Sequence, residues 1–144
     1  MKLFLDTCSL FKLYNQEIGT EELEQLFSEA KITHVYLSEI SKVEFTSTVW
    51  KKVRTKEITL QQANITLQLF ESDFEKYNFI ATDSLILEQA RNLTTKYGTA
   101  GLRTLDSIQL SSMISLKKEV DVFHTADKLL LSLIKTEGLS TEIN

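Results

Sequence analysis

The chain has no proline, four glycines, one cysteine and two histidines among its 144 residues, and each shortage excludes something. With no proline and with glycine only at 19, 98, 101 and 138, long helices meet no breaker. Nor does any flexible linker, internal repeat or low-complexity stretch mark off a second domain. No glycine-rich turn follows the first apolar segment, which excludes the dinucleotide-binding fingerprint of a Rossmann domain. The single cysteine, Cys8, rules out an intramolecular disulfide and fits a reducing cytoplasm. One cysteine and two histidines are also too few for a zinc site of the Cys/His type. No apolar run approaches the ~18 residues of a membrane span, and no basic leader with a cleavage site opens the chain. A cytoplasmic protein without a membrane partner is expected.

What is present is ordinary in bulk: 42% hydrophobic and 25% charged residues, with a formal charge of −4. The length suits one domain, 1–144, with a core of its own. The negative balance argues against nucleic-acid binding by charge alone. Basic residues can still be local, and Lys42, Lys51, Lys52, Arg54 and Lys56 make residues 42–56 basic apart from Glu44. A solvated helix face is the plainer account of that run.

Four short segments rich in β-branched and aromatic residues read as strands: 2–5, 34–37, 78–82 and 121–125. Helical spacing predicts 21–30 with Thr20 as N-cap, and 39–52 with Ile40, Val43, Ser47 and Val49/Trp50 inward. Thr59 opens a capping box with Gln62 ahead of a buried stripe of Leu60, Ala63, Leu67 and Phe70. Further helices are predicted over 85–97, over 105–116 behind a Thr104 cap, and over 126–136 ending near Gly138. The 105–116 helix is expected to turn Leu105, Ile108, Ser112 and Leu116 inward. A last short strand is expected over 140–143. Strands separated by ten or more helical residues need crossover connections, so the fold class is α/β: a mainly parallel central sheet of four to five strands, covered by helices on both faces.

Ligands of such folds bind beyond the carboxyl ends of the strands. Asp6 ends the first strand, Ser38 the second, and Asp127 lies just past the fourth. Glu44 and Asp106 interrupt stretches that otherwise read as apolar helix faces. Taken singly, each acid has a structural account: a turn or N-cap for Asp6 and Asp127, a partly exposed face for Glu44, a favourable first-turn dipole position for Asp106. All four at one end of one sheet is different, because carboxylates within ~6 Å raise one another's pKa. A hard divalent cation, Mg²⁺ or Mn²⁺, held by oxygens resolves that conflict and can activate water toward a phosphodiester.

The segments LFLDTCSL, YLSEISKVEF, GLRTLDSIQL and VFHTADKLL resemble, in order and spacing, the sequence blocks of PIN-domain ribonucleases, especially VapC-type toxins of prokaryotic toxin–antitoxin systems. The resemblance implies a PIN-like three-layer α/β/α fold and an endoribonuclease dependent on Mg²⁺ or Mn²⁺. It implies that Asp6, Glu44, Asp106 and Asp127 ligate or support the metal, with the hydroxyls of Thr7 and Thr125 orienting carboxylates or water. Ser38 is a further supporting candidate. The implied partners are an RNA substrate, a cognate antitoxin protein and a second copy of the chain in a homodimer. Lys51, Lys52, Arg54, Arg103 and Lys128 are the candidate phosphate contacts. Two departures stand out: Cys8 where serine is common, read as a small core residue, and Gln109 where histidine is frequent.

Two other readings compete. An Asp-based phosphoryl-transfer protein also uses a carboxylate after its first strand. A haloacid-dehalogenase-like phosphatase, however, needs a second acid two residues on, where this chain has Cys8. A receiver domain needs an acidic pair and a strand-end lysine that are not visible. A non-catalytic PIN-like binding module would be expected to have lost an acid, and all four are kept.

Overall fold

The computed structural model describes residues 1–142. Its strands are β1 (Lys2–Leu5), β2 (His34–Ser38), β3 (Tyr77–Ile80) and β4 (Val122–His124). Its helices are α1 (Thr7–Phe11), α2 (Thr20–Glu29), α3 (Ser41–Arg54), α4 (Leu60–Ser72), α5 (Ser84–Tyr97), α6 (Thr104–Ser115) and α7 (Lys128–Thr136). Single 3₁₀ turns at Phe74–Lys76 and Gly98–Ala100 follow α4 and α5.

Alternation within the strands sets the layers. Leu3 and Leu5 of β1 enter one core while Phe4 enters the other, as successive side chains of a strand must. Val35 and Leu37 of β2 and Val122 of β4 join Leu3 and Leu5, whereas Tyr36 and Phe123 join Phe4. The first core is closed by Leu10, Leu23, Phe45, Val49, Ala63 and Phe70 from α1 to α4. The second is closed by Leu93, Leu110, Met113, Leu130, Leu133 and Ile134 from α5 to α7. The result is a three-layer α/β/α fold, as expected. No helix among the described residues is long and apolar enough to cross a membrane.

The sheet order is β3-β2-β1-β4 and all pairings are parallel, with Leu3 opposite both Val35 and Val122. The chain steps outward from β1 to β2 to β3, then returns to the far side of β1 to lay down β4. That reversal makes the crevice beyond the ends of β1 and β4 the switch point where α/β folds bind ligands.

Several helix starts and faces differ from expectation. α2 is capped by Gly19 at φ 95°, not by Thr20, because the Thr20 hydroxyl is taken up by Glu17 N–H and the carbonyls of Lys12 and Asn15. Arg103, not Thr104, stands at the α6 N-cap and supplies no side-chain bond. α3 begins at Ser41 and buries Ser41, Phe45 and Val49. Val43 is therefore 72% exposed rather than inward, and Ser47 is exposed too. Leu60 and Leu105, each at the front of its helix, are also exposed. The capping box of Thr59 and Gln62 is present with both reciprocal bonds. α7 starts two residues later than expected, at Lys128. The strand expected over 140–143 lies partly outside the described residues; within them, Phe123 N–H donates to the Ser140 carbonyl at 2.8 Å.

Candidate metal centre

Asp6 is positioned by being two things at once, the residue after β1 and the N-cap of α1. One carboxylate oxygen, Oδ1, accepts the Ser9 N–H at 2.8 Å, and Oδ2 accepts the Thr125 hydroxyl. The residue is 4% exposed, and that burial pushes its carboxyl up to about 6. The bonds from Thr125 and Ser9 pull the other way, and the charge of Asp106 adds a smaller push upward. Asp127 repeats the device at α7, where its Oδ1 accepts the Leu130 N–H at 2.7 Å. Thr125 joins the two acids: its hydroxyl donates to Asp6 and accepts the Asp127 N–H at 3.1 Å. Capping is thus real at both positions, and each cap leaves its carboxylate at the carboxyl edge of the sheet.

Glu44 stands in the first turn of α3 and is half-buried. Its Oε1 accepts the Thr7 hydroxyl at 2.8 Å and the Gln109 side-chain amide at 2.9 Å. The same amide nitrogen lies 3.1 Å from Thr7 Oγ1 and 3.1 Å from Ser41 Oγ. Asp106 is half-buried in the first turn of α6. Desolvation raises its pKa, the charges of Asp127 and Glu44 raise it further, and Arg103 opposes them.

The four acids therefore face one electrostatic space. Cys8 reports it best: desolvation, then the charges of Asp6, Asp106, Asp127 and Glu44, push its thiol up to about 11. Contrary to expectation Cys8 is exposed, not a core residue, because α1 turns it outward into the cleft. A thiol so placed stays protonated at neutral pH and is no nucleophile. Two cavities flank the acids. One, of about 400 Å³, is lined by Thr7, Cys8, Lys12, Glu44, Lys52 and Asp127 among others. The other, of about 490 Å³, is lined by Glu44, Arg103, Thr104, Leu105 and Asp106.

Among the described residues no three His, Cys, Asp or Glu side chains form a ready-made metal cage. The donor set still fits a hard divalent cation. It offers carboxylate oxygens, and Mg²⁺ keeps several waters and takes only one or two carboxylates. The Asp106 carboxylate moreover accepts no hydrogen bond from a protein group among the described residues.

Of the expected phosphate contacts, Lys52 and Arg103 line the two cavities. Lys52 shares a face of α3 with Glu44 and Thr48 at four-residue spacing. Lys51 and Arg54 are exposed in the last turn of α3, where cations complement the helix dipole, and Lys128 is exposed at the start of α7. Ser38 is fully buried and its Oγ accepts the Ile40 N–H at 3.4 Å, so it holds the turn into α3 rather than an acid. Sequence reasoning missed Ser41 and the position of Gln109. The signal was there in the spacing: Ser41 precedes Glu44 by three residues and Gln109 follows Asp106 by three, each pair on one helix face.

The PIN domain family model matches residues 3–134. The chain belongs to the PIN domain family. Among solved structures it is similar to VapC20 of Mycobacterium tuberculosis, described as a sarcin-ricin loop cleaving toxin. That likeness has TM-score 0.69 and 15% identity over 91% of this chain and 94% of that one. It is also similar to FitAcB from Neisseria gonorrhoeae (TM-score 0.71, 14% identity, covering 98% and 96%). A third likeness is to VapBC2 from Rickettsia felis bound to a DNA fragment from its promoter (0.64, 18%, 99% and 98%). No curated protein sequence matches. At these identities the structural likeness speaks for the fold, so the PIN domain's chemistry in this chain rests on its own residues.

Proposed function

We propose that the chain is a Mg²⁺- or Mn²⁺-dependent endoribonuclease and the toxin of a toxin–antitoxin pair. The observation that carries this is the set of four acids gathered, from four separate segments, at the switch-point edge of a PIN-domain sheet. Asp6, Glu44, Asp106 and Asp127 are the residues that would hold the cation. A bound divalent cation supplies a Lewis acid for the scissile phosphate and lowers the pKa of a water nucleophile. The chain itself supplies the rest. Thr125 and Ser9 hold Asp6, Thr7 and Gln109 hold Glu44, and the Asp127 cap ties the fourth carboxylate to α7. Lys52 and Arg103, one in each flanking cavity, suit the phosphates on either side of the one to be cut.

The toxin role draws support from the similar structures, one described as a sarcin-ricin loop cleaving toxin and another as VapBC2 bound to a DNA fragment from its promoter. A protein partner is also favoured by an apolar cavity of about 420 Å³ lined by Ile40, Val43, Ser47, Thr48 and Leu105 next to Glu44. An antitoxin segment seated there would lie over the acids and block them. A homodimer is part of the same reading.

The test is cleavage of RNA by the purified protein. Activity should require Mg²⁺ or Mn²⁺ and vanish with EDTA. It should be lost in Asp6→Asn and Asp106→Asn, whose circular dichroism stays native. The cation should raise the melting temperature of wild type and not of Asp6→Asn. No cleavage by wild type, together with unchanged toxicity of both variants in cells, would reject the nuclease in favour of a binding module.

A further inference from the structure

Gln109 is 2% exposed, and its two amide atoms have opposite fates. Its Nε2 lies within hydrogen-bond distance of three oxygens, Glu44 Oε1, Thr7 Oγ1 and Ser41 Oγ. Its Oε1 is buried with no hydrogen-bond partner among the described residues. A buried amide normally settles so that both ends are satisfied. Turning this amide over would bring its oxygen within reach of the Thr7 and Ser41 hydroxyls, both able to donate. It would also set a carbonyl oxygen 2.9 Å from the Glu44 carboxylate. The arrangement therefore favours the acid over the amide's own second bond.

The protons can be followed. Thr7 Oγ–H donates to Glu44 Oε1, and Ser41 Oγ–H donates to Thr7 Oγ1, the pairing that leaves each hydroxyl one proton and one acceptor. One Gln109 N–H then completes Glu44 Oε1 and the other rests on a hydroxyl oxygen. Both charge-assisted donors fall on the same carboxylate oxygen. No protein hydrogen bond reaches Glu44 Oε2 among the described residues.

We propose that Gln109 is a positioning residue: its side-chain N–H, with the Thr7 hydroxyl, pins Glu44 Oε1 and leaves Oε2 as the single oxygen presented to a divalent cation. The inference rests on the metal-site reading above. It assigns Gln109, one turn beyond Asp106 on α6, a role in metal affinity although it touches no substrate and is no metal ligand. Outer partners of this kind typically change metal affinity ~10- to 100-fold when removed.

Gln109→Leu separates this role from a structural one. Leucine cannot donate, and it also removes the orphaned oxygen, so folding stability should be kept or raised. Mn²⁺ affinity, read as the midpoint of the thermal shift against Mn²⁺ concentration and checked by calorimetric titration, should fall by ~10-fold or more. Gln109→His, which can still present an N–H, should recover most of the affinity. If Gln109→Leu proves unfolded, Gln109→Met is read in the same way. A Gln109→Leu protein that folds and binds Mn²⁺ as tightly as wild type overturns the proposal and leaves the metal site standing. A wild type that shows no Mn²⁺ binding overturns both.

Discussion

A carboxyl group held near 6 inside a protein makes stability depend on pH in a direction opposite to that of most acids. Asp6 is raised in the fold by burial, from an ordinary value of 3.8 to about 6. Between those values the folded chain binds more protons than the unfolded one, so the metal-free protein loses stability as pH rises through this window. At 1.36 kcal/mol per unit the loss is at most about 3 kcal/mol. Urea unfolding in EDTA at pH 4.5 and 7, which covers most of that window, should show wild type falling relative to Asp6→Asn by about 2 kcal/mol. A divalent cation should shrink the difference by stabilising the ionised form. Equal pH profiles for the two proteins would mean that Asp6 is not desolvated as described.

Among the elements, α3 has the most to do, because it carries Glu44 on one side of its first turn and Phe45 on the other. Phe45 is fully buried, with its ring centroid 4.1 Å from Phe70, 5.2 Å from Phe11 and 5.2 Å from Tyr14. Phe45→Ala should cost about 3–5 kcal/mol through lost burial and the cavity left behind, read as a lowered urea midpoint with unchanged slope. The same helix shows where reading from sequence stops. Strands and long helices were legible because period-2 and period-3.6 patterns are local; Asp6 and Asp127 were legible because strand ends are, and Glu44 and Asp106 as breaks in apolar helix faces. α3 offers two faces by its spacing, one with Val43 and Ser47 and one with Phe45 and Val49. Which one faces inward is decided by α1, the turn after it and α4, which place Phe11, Tyr14 and Phe70 against Phe45. α1 itself is five residues long, too short for any periodic signal, yet it turns Cys8 outward and brings Thr7 to Glu44. Ser41 carries no signal of its own, and Gln109 shows only as a departure from the histidine frequent in the family, until that contact exists.

At the scale of the whole molecule the charge is −4, and only two of the five expected phosphate cations line the cavities beside the acids. RNA affinity should therefore depend weakly on salt. With about 0.7 per phosphate contact for a single strand, two contacts give a log–log slope near −1.4. Anisotropy of a labelled RNA on the inactive Asp106→Asn protein across a salt series measures it. A slope of about −3.5 would mean that Lys51, Arg54 and Lys128 are also engaged, over a wider surface than the cleft. For the proposed nuclease, recognition through a few contacts would leave specificity to the geometry of the crevice beyond the ends of β1 and β4.

Two of the four acids are also helix caps, and this has a spectroscopic consequence. The Ser9 and Leu130 amides each donate to a carboxylate oxygen of the site, Asp6 Oδ1 and Asp127 Oδ1. Charge placed among the acids polarises those two N–H bonds through the oxygens they share. The first turns of α1 and α7 thus carry native probes on opposite sides of the crevice, visible in an amide proton spectrum without any label. Their separate responses distinguish an ion bound near Asp6 from one bound near Asp127.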